Sequence, residues 1–435
     1  MVDVQKRTTA RGNGATGKAD SKTGTPRQAP AIQDIRTLLP LDGLPEYWYP
    51  ALEDTKVRSK PVGLKLLGTD VVFFRGGDGQ VKALWNVCPH RGGSLMHGDC
   101  HFPGTISCPY HGWTYDGDGN VLAVLPEGPE SKIPGTVKAR VYSTRTLKGM
   151  VFVWMGEGEP APIEEDVPPE FFDARTMMLY AIEYWDCNWL VGMENGADAH
   201  VPYVHRNALR TMMFYLPQTG PVVRRSKPFP GRSLLAPQRY AAGGQRHRGA
   251  PDRSYFPALD AYWPKHQWRK LWKWMFKPAA WRHARQPLWE CPEEWQGGHH
   301  LPNMFRSDHK TDMYTRSCVP VEKDLSRQIY FKAIRPRSWV GRLYERAHYR
   351  LYGRWMQVTN FSNQDRKAVE PQRFDTQEYL SATDSHTILW RRLVLQARGM
   401  MEPEEAQAVA DTPAEEFSFR RQVEAGNEPE RFTPV

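Results

Sequence analysis

NVCPHRGGSLMHGDCHFPGTISCPYHGW, Asn86 to Trp113, holds two Cys-His pairs, each on its own Gly-bounded turn. Cys88 and His90 lie in CPHRG, Cys108 and His111 in CPYHGW, and seventeen residues separate His90 from Cys108. Four donors of this kind make a metal site. Thiolates hold ferric iron and sulfide-bridged clusters, and imidazoles in place of two thiolates remove negative charge and raise the reduction potential. The mixed set therefore suits an electron relay. Gly92 and Gly112 follow the ligand turns directly, where a backbone without Cβ can approach a cluster and aim amides at sulfur. A structural zinc site is the competing reading, but its ligands usually come as Cys with Cys and His with His, whereas each turn here mixes the two.

The remainder of the chain is far larger than one cluster module needs. Its 435 residues suggest two or three domains. No apolar run has the length of a membrane span, and no secretory or twin-arginine signal opens the sequence. Six cysteines at uneven spacing, two of them already used as ligands, make no disulfide framework, which points to a reducing cytoplasm. The net charge of +9 comes from Lys and Arg scattered along the chain, and no nucleic-acid signature accompanies it. An acidic electron carrier is the natural complement, with a merely solvated basic surface as the alternative.

Short β-type runs separated by Gly-rich turns make residues 45–158 an antiparallel all-β module with the ligand turns at loop tips. Residues 1–30 read as a disordered basic tail, and the acidic, Pro-rich stretch at 159–175 as a linker. The aromatic residues Trp85, Trp113 and Tyr115 read as ordinary core. Beyond the linker come Asn188-Trp189, Glu194-Asn195, Asp198, His200 and His205. Two histidines and a carboxylate can occupy one face of Fe(II) and leave the other open to O2. Alone the motif is weak, because histidines at this spacing are common on surfaces and in satisfied cores.

The ligand spacing resembles the Rieske [2Fe-2S] family at all four positions. That resemblance places Cys88 and Cys108 on one iron of the cluster and His90 and His111 on the other. Gly93 and Tyr110 stand where respiratory members carry two further cysteines, which favours the oxygenase and ferredoxin branches. With the second motif, residues from about 45 to 398 resemble the catalytic subunit of the Rieske non-haem iron aromatic-ring-hydroxylating oxygenases. The resemblance implies an α+β fold: the all-β Rieske domain, then a catalytic domain over 176–398 whose antiparallel sheet curves around a helix in a helix-grip arrangement. It implies that His200, His205 and Asp365, in NFSNQDRKAVEPQRF, hold a mononuclear Fe(II). It also implies that Asp198 bridges by hydrogen bonds from an iron-ligating histidine to a cluster histidine, His111, of a neighbouring subunit in a homotrimer, as the inter-subunit electron path. Asp198-Ala199-His200 is one residue shorter than the family's spacing, so the backbone bulges or the carboxylate path is altered.

No dinucleotide or flavin fingerprint is present, so electrons from NAD(P)H are expected through a separate flavin reductase, ferredoxin or both. The expected activity is insertion of oxygen from O2 into a hydrophobic, aromatic or polycyclic substrate. A monooxygenase of the O- or N-demethylase or steroid-hydroxylating kind is the alternative, and an electron-transfer protein lacking active mononuclear iron is a remoter one. Residues 206–296 form an insertion whose Trp-rich part, 262–295, reads as a packed helix, a lid, or a membrane- or partner-docking helix. Cys291, His299 and His300 lack a fourth ligand at metal spacing. Strands are expected over 299–337, a helix around Trp339 to Thr359, a last helix within 384–399 with apolar positions at 388, 389, 393 and 395, and a peripheral tail over 399–435.

Overall fold

The computed structural model describes residues 35–197, 200, 204–205, 208, 227–229, 231–235, 285–286, 291–308, 311–373, 376, 378–380 and 384–400. The tail expected at 1–30, Asp198, nearly all of the 206–296 insertion and the terminal stretch from 401 lie outside these residues. The N-terminal part builds three small antiparallel sheets. β1 (Trp48–Glu53), β10 (Met150–Trp154) and β9 (Thr144–Leu147) form the first. β2 (Val62–Leu66), β3 (Thr69–Arg75), β4 (Val81–Trp85) and β8 (Val141–Tyr142) form the second. β5 (Ile106–Ser107), β6 (Trp113–Tyr115) and β7 (Val121–Val124) form the third.

The apolar run VVFF in β3 has no polar alternation because both of its faces are buried. Val71 and Phe73 point into the large core shared with β1, β10 and the following domain. Val72 and Phe74 point the other way, into a smaller core with Leu95, Tyr115, Cys88 and Cys108. One strand thus fixes the ligand loops to the body of the protein.

The second part is a seven-stranded antiparallel sheet. Its order is β11 (Met177–Trp185), β17 (Leu325–Ile334), β16 (Asp312–Glu322), β15 (Met304–Asp308), β14 (Gly298–His300), β13 (Ser233–Leu235) and β12 (Lys227–Phe229). β16 and β17 are a long hairpin closed between Glu322 and Leu325. Helical winding starts at Trp339, capped by the Ser338 hydroxyl on the Gly341 amide, and continues to Val369. Its ends are α-helical, α2 (Trp339–His348) and α3 (Asn363–Val369), while Tyr349–Gly353 and Trp355–Ser362 are wound as wider π-helix. The helix therefore runs past the expected end near Thr359 and takes in Asp365. Tyr349 and Val358 pack it onto Met177, Leu179, Ala181, Tyr330 and Ile334 of β11 and β17. α1 (Trp189–Ala197) and α4 (Ser385–Leu395) complete the domain, with Trp189, Leu190, Met193, Trp390 and Val394 in the shared core.

The stretch 159–175 is clasped on both sides rather than loose. Asp166 accepts the Trp48 amide at 2.9 Å and pairs with Arg398. Glu170 takes a two-point grip from Arg306 on β15, at 2.6 and 3.1 Å, with both side chains buried. A buried charge left without its partner is costly. Arg306→Leu is therefore expected to lower stability by about 3–5 kcal/mol, read as a reduced urea midpoint, and adding Glu170→Leu should restore most of the loss.

Candidate functional site

The two ligand loops share one backbone plan, Cys-Pro-x-x-Gly. In the first, the Gly92 amide donates to the Cys88 carbonyl at 2.9 Å and the Cys88 amide to the Gly93 carbonyl at 2.8 Å. In the second, the Gly112 amide donates to the Cys108 carbonyl at 3.0 Å and the Cys108 amide to the Trp113 carbonyl at 2.8 Å. Gly92 and Gly112 have φ of 73° and 63°, a left-handed turn that favours glycine. The plan brings all four expected donors together. The His90 and His111 rings meet edge to face with centroids 4.8 Å apart, and Cys88 and Cys108 lie buried in one core. The space beside the sulfurs is a close cradle: a Cβ on Gly93 would come within 3.2 Å of Cys108 Sγ.

Of the three aromatic residues expected as core, Trp113 and Tyr115 are buried in the small core and also touch the expected ligands. Trp113 stacks on the His90 ring at 4.7 Å and 4°, and the Tyr115 hydroxyl lies 3.0 Å from Cys88 Sγ. Burial and the neighbouring thiols push the Tyr115 phenol far above its usual range, so it stays a neutral donor. Trp85 is exposed. The other cysteines take no part: Cys187 and Cys318 are thiols that burial pushes up to about 12 and about 11. No cysteine forms a disulfide.

The second site joins remote segments. His200 and His205 follow α1, and Asp365 sits in the first turn of α3. Asp365 Oδ1 is 3.0 Å from His200 Nε2 and 2.9 Å from His205 Nε2, and the three donors form a compact group that could hold a metal ion. His205 is fully buried; its Nδ1 meets Gln364 Oε1 at 3.2 Å, while Nε2 has no partner in hydrogen-bonding geometry. A proton held on Nδ1 by Gln364 leaves the Nε2 lone pair for a cation. Burial acts to raise the Asp365 carboxyl, yet the hydrogen bonds and charges of His200 and His205 outweigh it and hold the group well below the ordinary carboxylate range. The pocket is thus arranged to keep a carboxylate ionised against positive charge, which suits a divalent metal. Asp198, the expected bridging residue, is outside the described residues.

Sequence reasoning named Asn195 as part of the motif without giving it a role, and missed Gln364 and Arg316. Asn195 Nδ2 lies 3.4 Å from Asp365 Oδ1 and 3.5 Å from His200 Nε2, while its Oδ1 accepts from Arg316 Nη1 at 3.0 Å. Phe305, Tyr314, Gln357 and Phe361 line the same cavity. α1 approaches the sheet closely because Gly192 and Gly196 carry no Cβ; one on Gly196 would meet Phe305 at 2.8 Å. Cys291, His299 and His300 form no second metal site. His299 Nε2 donates to the Met193 carbonyl at 2.8 Å and its Nδ1 meets His386 at 2.9 Å, while His300 Nε2 meets the Gln296 carbonyl.

The first part of the chain thus carries a cysteine–histidine cradle whose donors suit an iron–sulfur cluster, and the second part a buried two-histidine, one-carboxylate group whose donors suit a single metal ion. The Rieske [2Fe-2S] domain family matches residues 47–139, and the homotrimeric ring hydroxylase family matches residues 154–215. The chain therefore joins a Rieske domain to a ring-hydroxylase alpha-subunit domain. It is 37% identical over 169 residues to the terminal oxygenase component of carbazole 1,9a-dioxygenase from Sphingomonas sp, across 38% of this chain and 44% of the relative. The chain thus spans less than half the length of that curated relative. Among solved structures, the terminal oxygenase of carbazole 1,9a-dioxygenase from Novosphingobium sp. KA1 is 25% identical with a TM-score of 0.63, covering 84% of this chain and 96% of that one. The corresponding oxygenase from Nocardioides aromaticivorans IC177, 23% identical with a TM-score of 0.65, covers 85% and 98% and shares the fold. Among the described residues, no helix is long and apolar enough to cross a membrane.

Two outcomes follow from this geometry. Tyr115→Phe removes a donor that favours the more negative, reduced cluster, and is expected to lower its potential by on the order of 40 mV, read by protein-film voltammetry. Gln364→Leu frees the His205 tautomer and is expected to weaken divalent-metal binding about ten- to a hundred-fold, read by competition with a chromophoric chelator.

Proposed function

We propose that this chain is the terminal oxygenase of a multicomponent Rieske system, acting on a hydrophobic aromatic or polycyclic substrate. The single observation that carries this reading is the convergence of His200, His205 and Asp365, with the buried His205 Nε2 2.9 Å from the Asp365 carboxylate, in a cavity walled by Phe305, Tyr314 and Phe361. In this reading Cys88 and Cys108 hold one cluster iron, His90 and His111 the other, and His200, His205 and Asp365 a mononuclear Fe(II). When bound, the cluster supplies single electrons and the ferrous ion the capacity to activate O2.

The chain's own residues do the positioning. Gln364 fixes the His205 tautomer, Asn195 holds Asp365 from the side of α1, and the aromatic walls exclude water and present a flat apolar surface to a ring. Tyr115 and Trp113 brace the cluster ligands Cys88 and His90. Electrons come from NAD(P)H through a ferredoxin or flavin reductase. Asp198 passes them from His111 of a neighbouring subunit in a homotrimer, with residues 45–158 as donor domain and 176–398 as acceptor. Six unpaired cysteines suit a reducing cytoplasm for such a protein.

Metal analysis tests the reading directly. The purified protein is expected to hold about three irons per chain and to give a Rieske-type electron paramagnetic signal when reduced. His205→Ala and Asp365→Ala should each lose the mononuclear iron and substrate-dependent oxygen uptake while keeping the cluster signal. Unchanged iron content and oxygen uptake in both variants would overturn it.

A further inference from the structure

Several buried arginines of this protein are matched by carboxylates: Arg306 by Glu170, Arg391 by Glu194 and Glu378, Arg335 by Asp173. Arg327, outside the metal pocket, instead donates to the Ala51 carbonyl. Arg316, at the pocket itself, also lacks a carboxylate. It is 3% exposed and lines the cavity with His200, Asp365 and Phe305. Its Nη1 donates to Asn195 Oδ1 at 3.0 Å and its Nη2 to the Gly192 carbonyl at 2.5 Å, both neutral acceptors. Nε has no hydrogen-bond partner, and no carboxylate among the described residues lies within ion-pair distance of the guanidinium. The neighbouring Cys318 is a thiol that burial keeps protonated, so it supplies no counter-charge. The ring faces of Trp185 and Phe305 lie 5.2 and 6.0 Å from Cζ.

A guanidinium taken out of water with no carboxylate within ion-pair distance is expensive, and two hydrogen bonds to neutral oxygens with the more distant charge of Asp365 offset only part of that cost. A ferrous ion in the same cavity would add two positive charges to that of Arg316, against the single negative charge of Asp365. A cavity of that balance attracts an anion. Its aromatic walls call for a flat apolar body attached to that anion, and a planar guanidinium suits a carboxylate best among small anionic groups. We infer that Arg316 is a specificity-determining residue that selects an aromatic acid, its charge facing the carboxylate of a substrate whose ring lies against Phe305 and Tyr314. Arg316 is held from behind by Asn195 and Gly192, so the same residue ties substrate recognition to the Asn195–Asp365 contact.

The assignment rests on the cavity being the substrate pocket, and equilibrium binding tests it without turnover. By isothermal calorimetry on the iron-loaded protein, 2-naphthoate is expected to bind about ten-fold or more tighter than its neutral isostere 2-naphthamide. Arg316→Met should remove that preference and leave 2-naphthamide affinity within about two-fold, whereas Arg316→Lys should keep part of it. Equal affinity for acid and amide in the unaltered protein overturns the proposal, whether or not the Met variant folds. So does a preference that survives in Arg316→Met. A protein that prefers the acid yet takes up no oxygen overturns the oxygenase reading alone; one that takes up oxygen while binding acid and amide alike overturns the role of Arg316 alone.

Discussion

Asp365 is ionised and 4% exposed, and a charge in that position is stable only if positive charge meets it. The two imidazoles whose Nε2 atoms meet it, at 3.0 and 2.9 Å, belong to the segment after α1, so the carboxylate fixes where that segment must lie relative to the long helix. Much of the second domain's architecture serves that meeting. Strands β11 and β17 supply the apolar bed on which the long helix settles, through Tyr349 and Val358. The π-wound turns then re-phase the helix before Asp365. A π-turn is a weaker arrangement than α, found mostly where a site needs a residue turned out of regular phase. Here Gln357, Phe361 and Ser362 of that winding line the metal cavity beside Asp365.

The same logic governs the first domain. β3 divides its side chains between two cores, so the loops carrying Cys88 and Cys108 are anchored to the interior shared with the second domain. The Pro-rich stretch adds polar clasps at Asp166 and Glu170. The two domains of one chain are therefore packed as one body, and movement of the cluster loops relative to β1 and β10 would have to break a continuous apolar core.

What the sequence made legible follows from range. The cluster ligands lie in two short turns closed by their own backbone hydrogen bonds, so spacing and residue type alone declared them. His200 and His205 were equally local. Asp365 was readable only through family resemblance, because its place depends on a helix far along the chain. Asn195 stood in the local motif but with no role attached, and Gln364 and Arg316 gave no local signal. Gln364 reaches a histidine 159 positions away, and Arg316 is 121 positions from Asn195. Arg316 faces the cavity only because it pairs in register with Phe305 across β15 and β16. Trp113 and Tyr115 are core, as expected, but their contacts with His90 and Cys88 were not legible, because an aromatic residue after a ligand turn looks the same whether or not it also braces a ligand.

The burial of the cluster loops also sets a direction. Cys88 and Cys108 are buried under Tyr115 and Leu95, whereas His90 is exposed and Tyr110, beside His111, is 63% exposed. A cluster held by these four residues has its thiolate side in the core and its imidazole side toward the surface. Electron transfer weakens steeply with distance, so the imidazole side is where a redox partner can approach most closely. The hydrogen bond from Tyr115 lies on the opposite side, at Cys88, where it can tune the cluster without obstructing that approach. Tuning and access are thereby separated across the cluster, and each can be altered without disturbing the other.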